Sequence, residues 1–309
     1  MNQGRFLSVT AFACLLVLAA SASRAATEDG VLVRTHLKYA HRAALSAPRG
    51  LRSSAALVVD TTHSSILYSH NAEVAMPIAS ITKLMTALVV MDAGQALDEP
   101  LEVTAEDRSL RRGSRSRLSP GTLLTRGDLM HLALMASENH AAHALGRNYP
   151  GGLGACVAAM NAKARELGMT NAHFVEPTGL SDENVASPSD LSKLVMAAAK
   201  VPAIREYSTD GNYQVRVGRR MVRFRTTDSL VTRPDWKIEV QKTGYISEAG
   251  RCLVMQTVIE NRTVVIVLLN SYGKRTRVAD ARRIRKWMEA RLTSQPTPLA
   301  ATTPVATTT

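Results

Sequence analysis

Ser80 and Lys83 lie three residues apart in the stretch Pro77-Ile78-Ala79-Ser80-Ile81-Thr82-Lys83-Leu84-Met85. On a helix that spacing puts both side chains on one face. A serine hydroxyl is a poor nucleophile until a base takes its proton, and a partly desolvated lysine can be that base. Ile81, Leu84, Met85 and Leu88 recur at helical spacing and predict a buried amphipathic helix, with Pro77 just ahead of it and Gly94 at its C-terminal cap. Ser80 then sits near a helix N-terminus, where unpaired backbone N–H groups favour developing negative charge. Alone the pair says little: Ser-x-x-Lys recurs at Ser271-Tyr272-Gly273-Lys274, and most such pairs are solvated helix faces.

Two further motifs follow in order. Ser137-Glu138-Asn139 falls at a break between helical stretches, and Lys242-Thr243-Gly244 falls on a strand-like run. Ser-x-Asn also occurs at Ser69-His70-Asn71, but upstream of Ser80 and at a strand end; Lys-Thr-Gly occurs once. The ordered set is that of penicillin-binding proteins and class A β-lactamases.

The elements that must position these residues can be read from pattern. Ala55–Val59 and Ser65–Tyr68 read as strands of a hairpin around Asp60-Thr61-Thr62-His63-Ser64. Thr125–Gly146 is helical, opening on a capping-box-like Thr125-Arg126-Gly127-Asp128 and interrupted at Ser137-Glu138-Asn139. Ala155–Leu167 and Leu191–Ala199 are further helices. Ile238–Thr243, Cys252–Val258 and Val264–Leu269 are β-branched runs with short connections, and Arg277–Leu292 is a basic amphipathic helix expected to pack on them. Strands at both ends with helices between predict an α+β fold built on an antiparallel sheet.

Residues 1–25 carry Arg5, a short apolar run and Ser23-Arg24-Ala25, the layout of a secretory signal, and place the mature protein in the periplasm. Residues 26–50 read as a linker, 51–293 as the folded domain and the Thr/Pro/Ala-rich residues 294–309 as a disordered tail. The formal charge is +12, and removing Arg5 and Arg24 with the leader leaves +10. Arginines concentrate between Arg108 and Arg117, but aromatics make up only 4% of the chain, which argues against nucleic acid and for contact with anionic envelope surfaces. Cys156 and Cys252 are expected free and buried. His140 and His143 share a helical face without a third ligand and read as helix-surface histidines, so neither metal nor cofactor is expected.

From about Ala55 to Met288 the chain resembles the low-molecular-weight penicillin-binding proteins of the D-alanyl-D-alanine carboxypeptidase/endopeptidase family. The likeness rests on the three motifs and on Tyr149-Pro150-Gly151-Gly152, Phe174-Val175-Glu176-Pro177-Thr178-Gly179-Leu180 and Ala249-Gly250-Arg251-Cys252. It implies a β-lactamase/DD-transpeptidase-like fold, an antiparallel sheet flanked by helices with a mainly helical subdomain. The second β-rich domain and clear C-terminal anchor of the larger carboxypeptidases are not evident.

The resemblance implies roles residue by residue. Ser80 is the nucleophile, and Lys83 is the base, its pKa lowered by burial and by Lys242. Ser137 relays the proton, and Asn139 holds Lys83 and the substrate amide. The backbone N–H groups of Ser80 and Tyr245 form the oxyanion hole, while Lys242, Thr243 and Gly244 take the carboxylate on the leaving side. Arg115 and Arg117 are further candidates for substrate carboxylates. The implied partners are peptidoglycan peptide stems and cross-links, with β-lactams as acylating inhibitors. The motifs do not separate an endopeptidase from a carboxypeptidase; the overall likeness and the single-domain layout favour the endopeptidase. Two rival readings are a β-lactamase using Glu176 of Glu176-Pro177 and a non-catalytic β-lactam sensor or scaffold.

Overall fold

Near-continuous burial along the last three strands sets the plan of the molecule. The structure is a computed structural model that describes residues 47–108 and 116–293. The expected leader, the tail, Arg115 and nearly all of the linker lie outside the described residues. In chain order come β1 (Ser53–Asp60), β2 (Ser65–His70), β3 (Met76–Pro77), a 3-10 turn (Ala79–Ile81), α1 (Thr82–Asp92), β4 (Pro100–Val103) and β5 (Thr122–Thr125). Next are α2 (Arg126–Met135), α3 (Asn139–Arg147), α4 (Gly152–Glu166), β6 (Val185–Ala186), α5 (Pro188–Ala198) and α6 (Pro202–Thr209). The chain closes with β7 (Asn212–Val217), β8 (Arg220–Arg225), β9 (Lys237–Ile246), β10 (Gly250–Ile259), β11 (Arg262–Ser271) and α7 (Thr276–Thr293).

The main sheet is antiparallel throughout, in the order β2-β1-β11-β10-β9. Its inner strands are apolar on both faces because both faces are covered. Ala56, Val58, Leu253, Met255, Ile266 and Leu268 pack under α7 with Ala281, Ile284 and Met288. The alternate residues Leu57, Val254, Val265 and Val267 face the helical half of the molecule. Asp280 pins α7 to the first strand: its Oδ2 accepts from Arg52 N, Ser53 N and Ser53 Oγ at 3.0, 2.9 and 2.7 Å. Ser271, the serine of the second Ser-x-x-Lys, ends β11 with its hydroxyl on Ser53 Oγ at 2.7 Å.

Helix starts follow their capping residues. Thr125 Oγ1 accepts from Asp128 N at 3.0 Å while the Asp128 carboxylate accepts from Thr125 N, and Ser187 and Asp190 repeat the device ahead of α5. α1 departs from the amphipathic expectation, since every residue from Thr82 to Val90 is buried. It runs through the middle of the helical half, packed by α3, α4 and α5, so it has no solvent face.

The histidines also differ from expectation. His140 is buried with Nδ1 2.9 Å from Leu118 O, and His143 Nδ1 lies 2.8 Å from Asp107 Oδ1. Arg147 donates to the same buried carboxylate at 3.0 Å. Burial alone would raise the Asp107 pKa, but these hydrogen bonds hold it down at about 2. Together the two histidines tie both flanks of the arginine-rich run to α3. Cys156 and Cys252 are free and buried, and burial pushes their thiols up to about 12 and about 11.

Candidate active site

Ser80 occupies the tight turn that feeds α1, and that turn is strained. Ala79 has φ +50°, a left-handed conformation costly for a residue with a Cβ. Two glycines make room for it. A Cβ on Gly179 would lie 1.9 Å from Ala79 O, and one on Gly244 would lie 2.9 Å from Ile78 O and 3.2 Å from Ser80 N. The loop 174–184 and the edge strand β9 thus close on the serine turn from two sides, and only glycine permits the approach.

One turn into the helix, Lys83 is 1% exposed. Its Nζ donates to Ser80 Oγ at 2.9 Å, Asn139 Oδ1 at 2.7 Å and Thr178 O at 2.6 Å. Burial lowers its pKa from 10.5 to about 7, against the upward pull of Glu176 and Glu138. A lysine so placed is neutral for part of the time at neutral pH, with a lone pair available to the serine proton.

Asn139 begins α3, and Ser137 sits at the break before it with φ +60°. The expected helix interruption is therefore real, and the strained corner turns the serine out of both helices. Among the described residues the Ser137 hydroxyl has no hydrogen-bond partner, while Glu138 is buried and accepts from Arg117 N at 3.0 Å.

Lys242 lies on β9, fully buried, with Nζ on Thr243 O at 2.9 Å. Its pKa is driven well down, first by burial and then by repulsion from Lys83 and Arg277. Burial is the leading cause of both depressed values, and Lys83 and Lys242 repel one another across the site. Thr243 Oγ1 meets Thr227 Oγ1 at 2.6 Å, and Thr227 N donates to Met135 O, so β9, the end of β8 and the end of α2 are stitched together. Tyr245 is 55% exposed, with the Arg251 guanidinium 4.3 Å over its ring.

Two participants escaped the sequence reading, and a third, Glu176, was read there as the base of the rival β-lactamase. Arg277 reaches from α7 to Gly244 O at 3.1 Å and brings a second cation to the Lys-Thr-Gly strand. Asp228, buried beside it in charge terms, offsets both cations while burial raises its own pKa. Glu176 is the organiser of its loop: its carboxylate accepts from Thr178 N, Gly179 N, Leu180 N and Asn184 Nδ2 at 2.6, 2.5, 2.9 and 2.7 Å. None of these lies inside a motif; Glu176 had a local signal in the Pro-Thr-Gly that follows it. Arg117, expected as a holder of substrate carboxylates, is engaged within the protein. Its guanidinium donates to Arg223 O at 2.6 Å and lies 3.9 Å over Phe224.

The sequence profile of the D-alanyl-D-alanine carboxypeptidases, peptidase family S11, matches residues 41–273. The chain belongs to this peptidase family. The S11 match spans all three motifs. A D-alanyl-D-alanine endopeptidase of Pseudomonas aeruginosa is 46% identical over 80% of this chain and 81% of its own length. Another, of Escherichia coli K12, is 44% identical over 77% of this chain and 78% of its own. In fold, the S11 chain superposes on the Streptomyces K15 DD-transpeptidase with a TM-score of 0.74, covering 79% of this chain and 100% of that one at 24% identity. The α+β architecture expected from pattern is thus the architecture of that group.

Proposed function

We propose that the chain is a serine DD-peptidase that cleaves D-alanyl cross-links of peptidoglycan through an acyl-enzyme on Ser80. The observation that carries this reading is the hydrogen bond from a buried lysine, titrating near neutrality, to the Ser80 hydroxyl. In acylation, neutral Lys83 takes the Ser80 proton as Oγ attacks the D-alanyl carbonyl carbon. The carbonyl π pair moves onto oxygen, toward the backbone N–H groups of Ser80 and Tyr245. Ser137 passes a proton to the departing amine as the C–N bond breaks, and Asn139 holds Lys83 and the substrate amide. Lys242, Thr243 and Gly244, joined by Arg277, receive the carboxylate on the leaving side. Arg115 and Arg117, just upstream of the second motif in sequence, assist with substrate carboxylates. Water then releases the acyl group, and a β-lactam traps Ser80 as a slow ester.

The commitment of Glu176 to its own loop supports a peptidase over a β-lactamase, since a carboxylate engaged by four donors is poorly placed to activate a deacylating water. The identity to relatives named endopeptidases supports cross-link cleavage over removal of a terminal D-alanine. The leader-like first 25 residues support action in the periplasm.

The test uses mature protein with a pentapeptide monomer and a cross-linked peptide dimer in one tube, followed by liquid chromatography and mass, with Ser80→Ala as control. Dimer falling to monomers with the pentapeptide spared is the expected result. Loss of only the terminal D-alanine would make the chain a carboxypeptidase, and no change in either fragment would leave a β-lactam-binding scaffold.

A further inference from the structure

The hairpin of β7 and β8 carries five exposed arginines, three of them on its outer face and two at its turn. Tyr213, Val215, Val222 and Phe224 turn inward, while Arg216, Arg223 and Arg225 are exposed along the strands and Arg219 and Arg220 are exposed at the turn. No acidic residue occurs between Gly211 and Thr227. Among the described residues none of the five arginines stands in an ion pair, whereas Arg126, Arg147, Arg262, Arg283 and Arg285 each meet a carboxylate. Like charges gathered without counter-charges work against the folded state. Within this hairpin no carboxylate offsets that repulsion.

The hairpin is also wired to the catalytic elements. Its end leads into Thr227, bonded to Thr243 and to Met135, and Arg117, whose amide sits on Glu138, stacks on Phe224. A ligand lying along the hairpin is therefore delivered beside the Ser137 corner and the Lys-Thr-Gly strand.

We propose that the β7–β8 hairpin is a docking surface for the peptidoglycan network itself, holding the free carboxylates of peptide stems next to those being cleaved. The inference rests on the peptidoglycan reading of the active site. Guanidinium groups match carboxylates as planar, bidentate donors, and a row of them fits a polymer that repeats its carboxylates. A lipid surface fits less well, because interfacial binding pairs basic residues with apolar anchors. The hairpin exposes only Met221 as a large apolar side chain. Many weak contacts along one network raise retention without tightening the active site.

The test compares wild type with R216Q/R219Q/R220Q/R225Q and with the matching four-lysine variant, Arg223 being kept because its guanidinium donates to Asn212 Oδ1 across the hairpin. Co-sedimentation with isolated sacculi is read across a salt series, beside hydrolysis of the soluble cross-linked dimer, labelling by fluorescent penicillin and thermal melting. The glutamine variant should bind sacculi about tenfold more weakly at low salt, with a flatter salt dependence. It should digest sacculi more slowly, while dimer hydrolysis, labelling and melting stay at wild-type values and the lysine variant keeps most of the binding. Unchanged sacculus binding in the glutamine variant would overturn the proposal. So would a loss confined to vesicles of anionic phospholipid, or a loss that the lysine variant shares. Should wild type bind sacculi in an arginine-dependent way yet cleave no dimer, the docking surface would stand and the peptidase reading would fall.

Discussion

Acidification should switch off acylation of Ser80 by protonating Lys83. The amine sits 2.9 Å from Ser80 Oγ and titrates at about 7 because burial disfavours its charge. Only the neutral amine has a lone pair for the serine proton, so the acylation rate should be half-maximal near pH 7. One pH unit lower, about a tenth of the lysine is neutral and the rate should stand about tenfold below its alkaline plateau. Glu138 and Glu176 both raise the Lys83 pKa, so removing one of their charges must move the acid limb to lower pH. Glu138→Gln is the cleaner change, since glutamine keeps an oxygen for Arg117 N. The expected displacement is roughly half a unit to one unit, as for a nearby charge in a partly screened site. The assay is the rate of labelling by a fluorescent penicillin between pH 5 and 9, read on gels for wild type and variant. A limb centred near 10 in wild type, or one that moves to higher pH in Glu138→Gln, would refute the reasoning.

Three further outcomes follow from the packing. Gly179→Ala puts a Cβ 1.9 Å from Ala79 O at a φ of +77°, so the serine turn must shift; labelling should slow by about a hundredfold or more, beyond any loss of melting temperature. Asp280→Ala strips the acceptor from Arg52 N and Ser53 N and frees α7 from β1, costing about 2–4 kcal/mol in denaturant unfolding, with Asp280→Asn milder. Asp107 has a folded pKa of about 2 against an ordinary 3.8, so its contribution is complete above about pH 4 and is lost as pH falls through about 2. That contribution is at most about 2 kcal/mol, and the stability gap between wild type and Asp107→Asn, measured by urea titration, should shrink over that window.

Periodicity and local chemistry carried much of the fold. The β-branched runs became β9, β10 and β11, the Thr125 and Asp128 capping pair started α2, and the chain did break at Ser137-Glu138-Asn139. The motifs named the partners that the fold brings together, Lys83 with Ser80 and Lys83 with Asn139. What stayed hidden depends on partners remote in sequence. His143 looks like a surface residue until Asp107, 36 positions away, arrives beneath it. Arg277 reads as one more basic residue of an amphipathic helix, because its contact with Gly244 spans 33 positions. The β7–β8 hairpin was missed since its inward alternation of Tyr213, Val215, Val222 and Phe224 is interleaved with arginine, and α6 because Pro202–Thr209 is short and mixed. A burial-driven pKa is likewise invisible to spacing: Lys83 and Lys242 owe their depressed values first to burial, which no motif records.

The pairing of β1 with β11 also dictates when this protein can become itself. Thr61 N donates to Thr263 O across 202 positions, and the whole of β1 lies against β11. A chain released N-terminus first must keep that apolar strand edge open until nearly all the remaining sequence has emerged. Such distant pairing makes for slow folding. The turn bearing Ser80 waits as well, because Gly179 and then Gly244 must arrive to brace it. No early fragment can hold a reactive serine, so an unfinished chain carries no wandering hydrolase, and covalent capture by penicillin marks only molecules whose two ends have met.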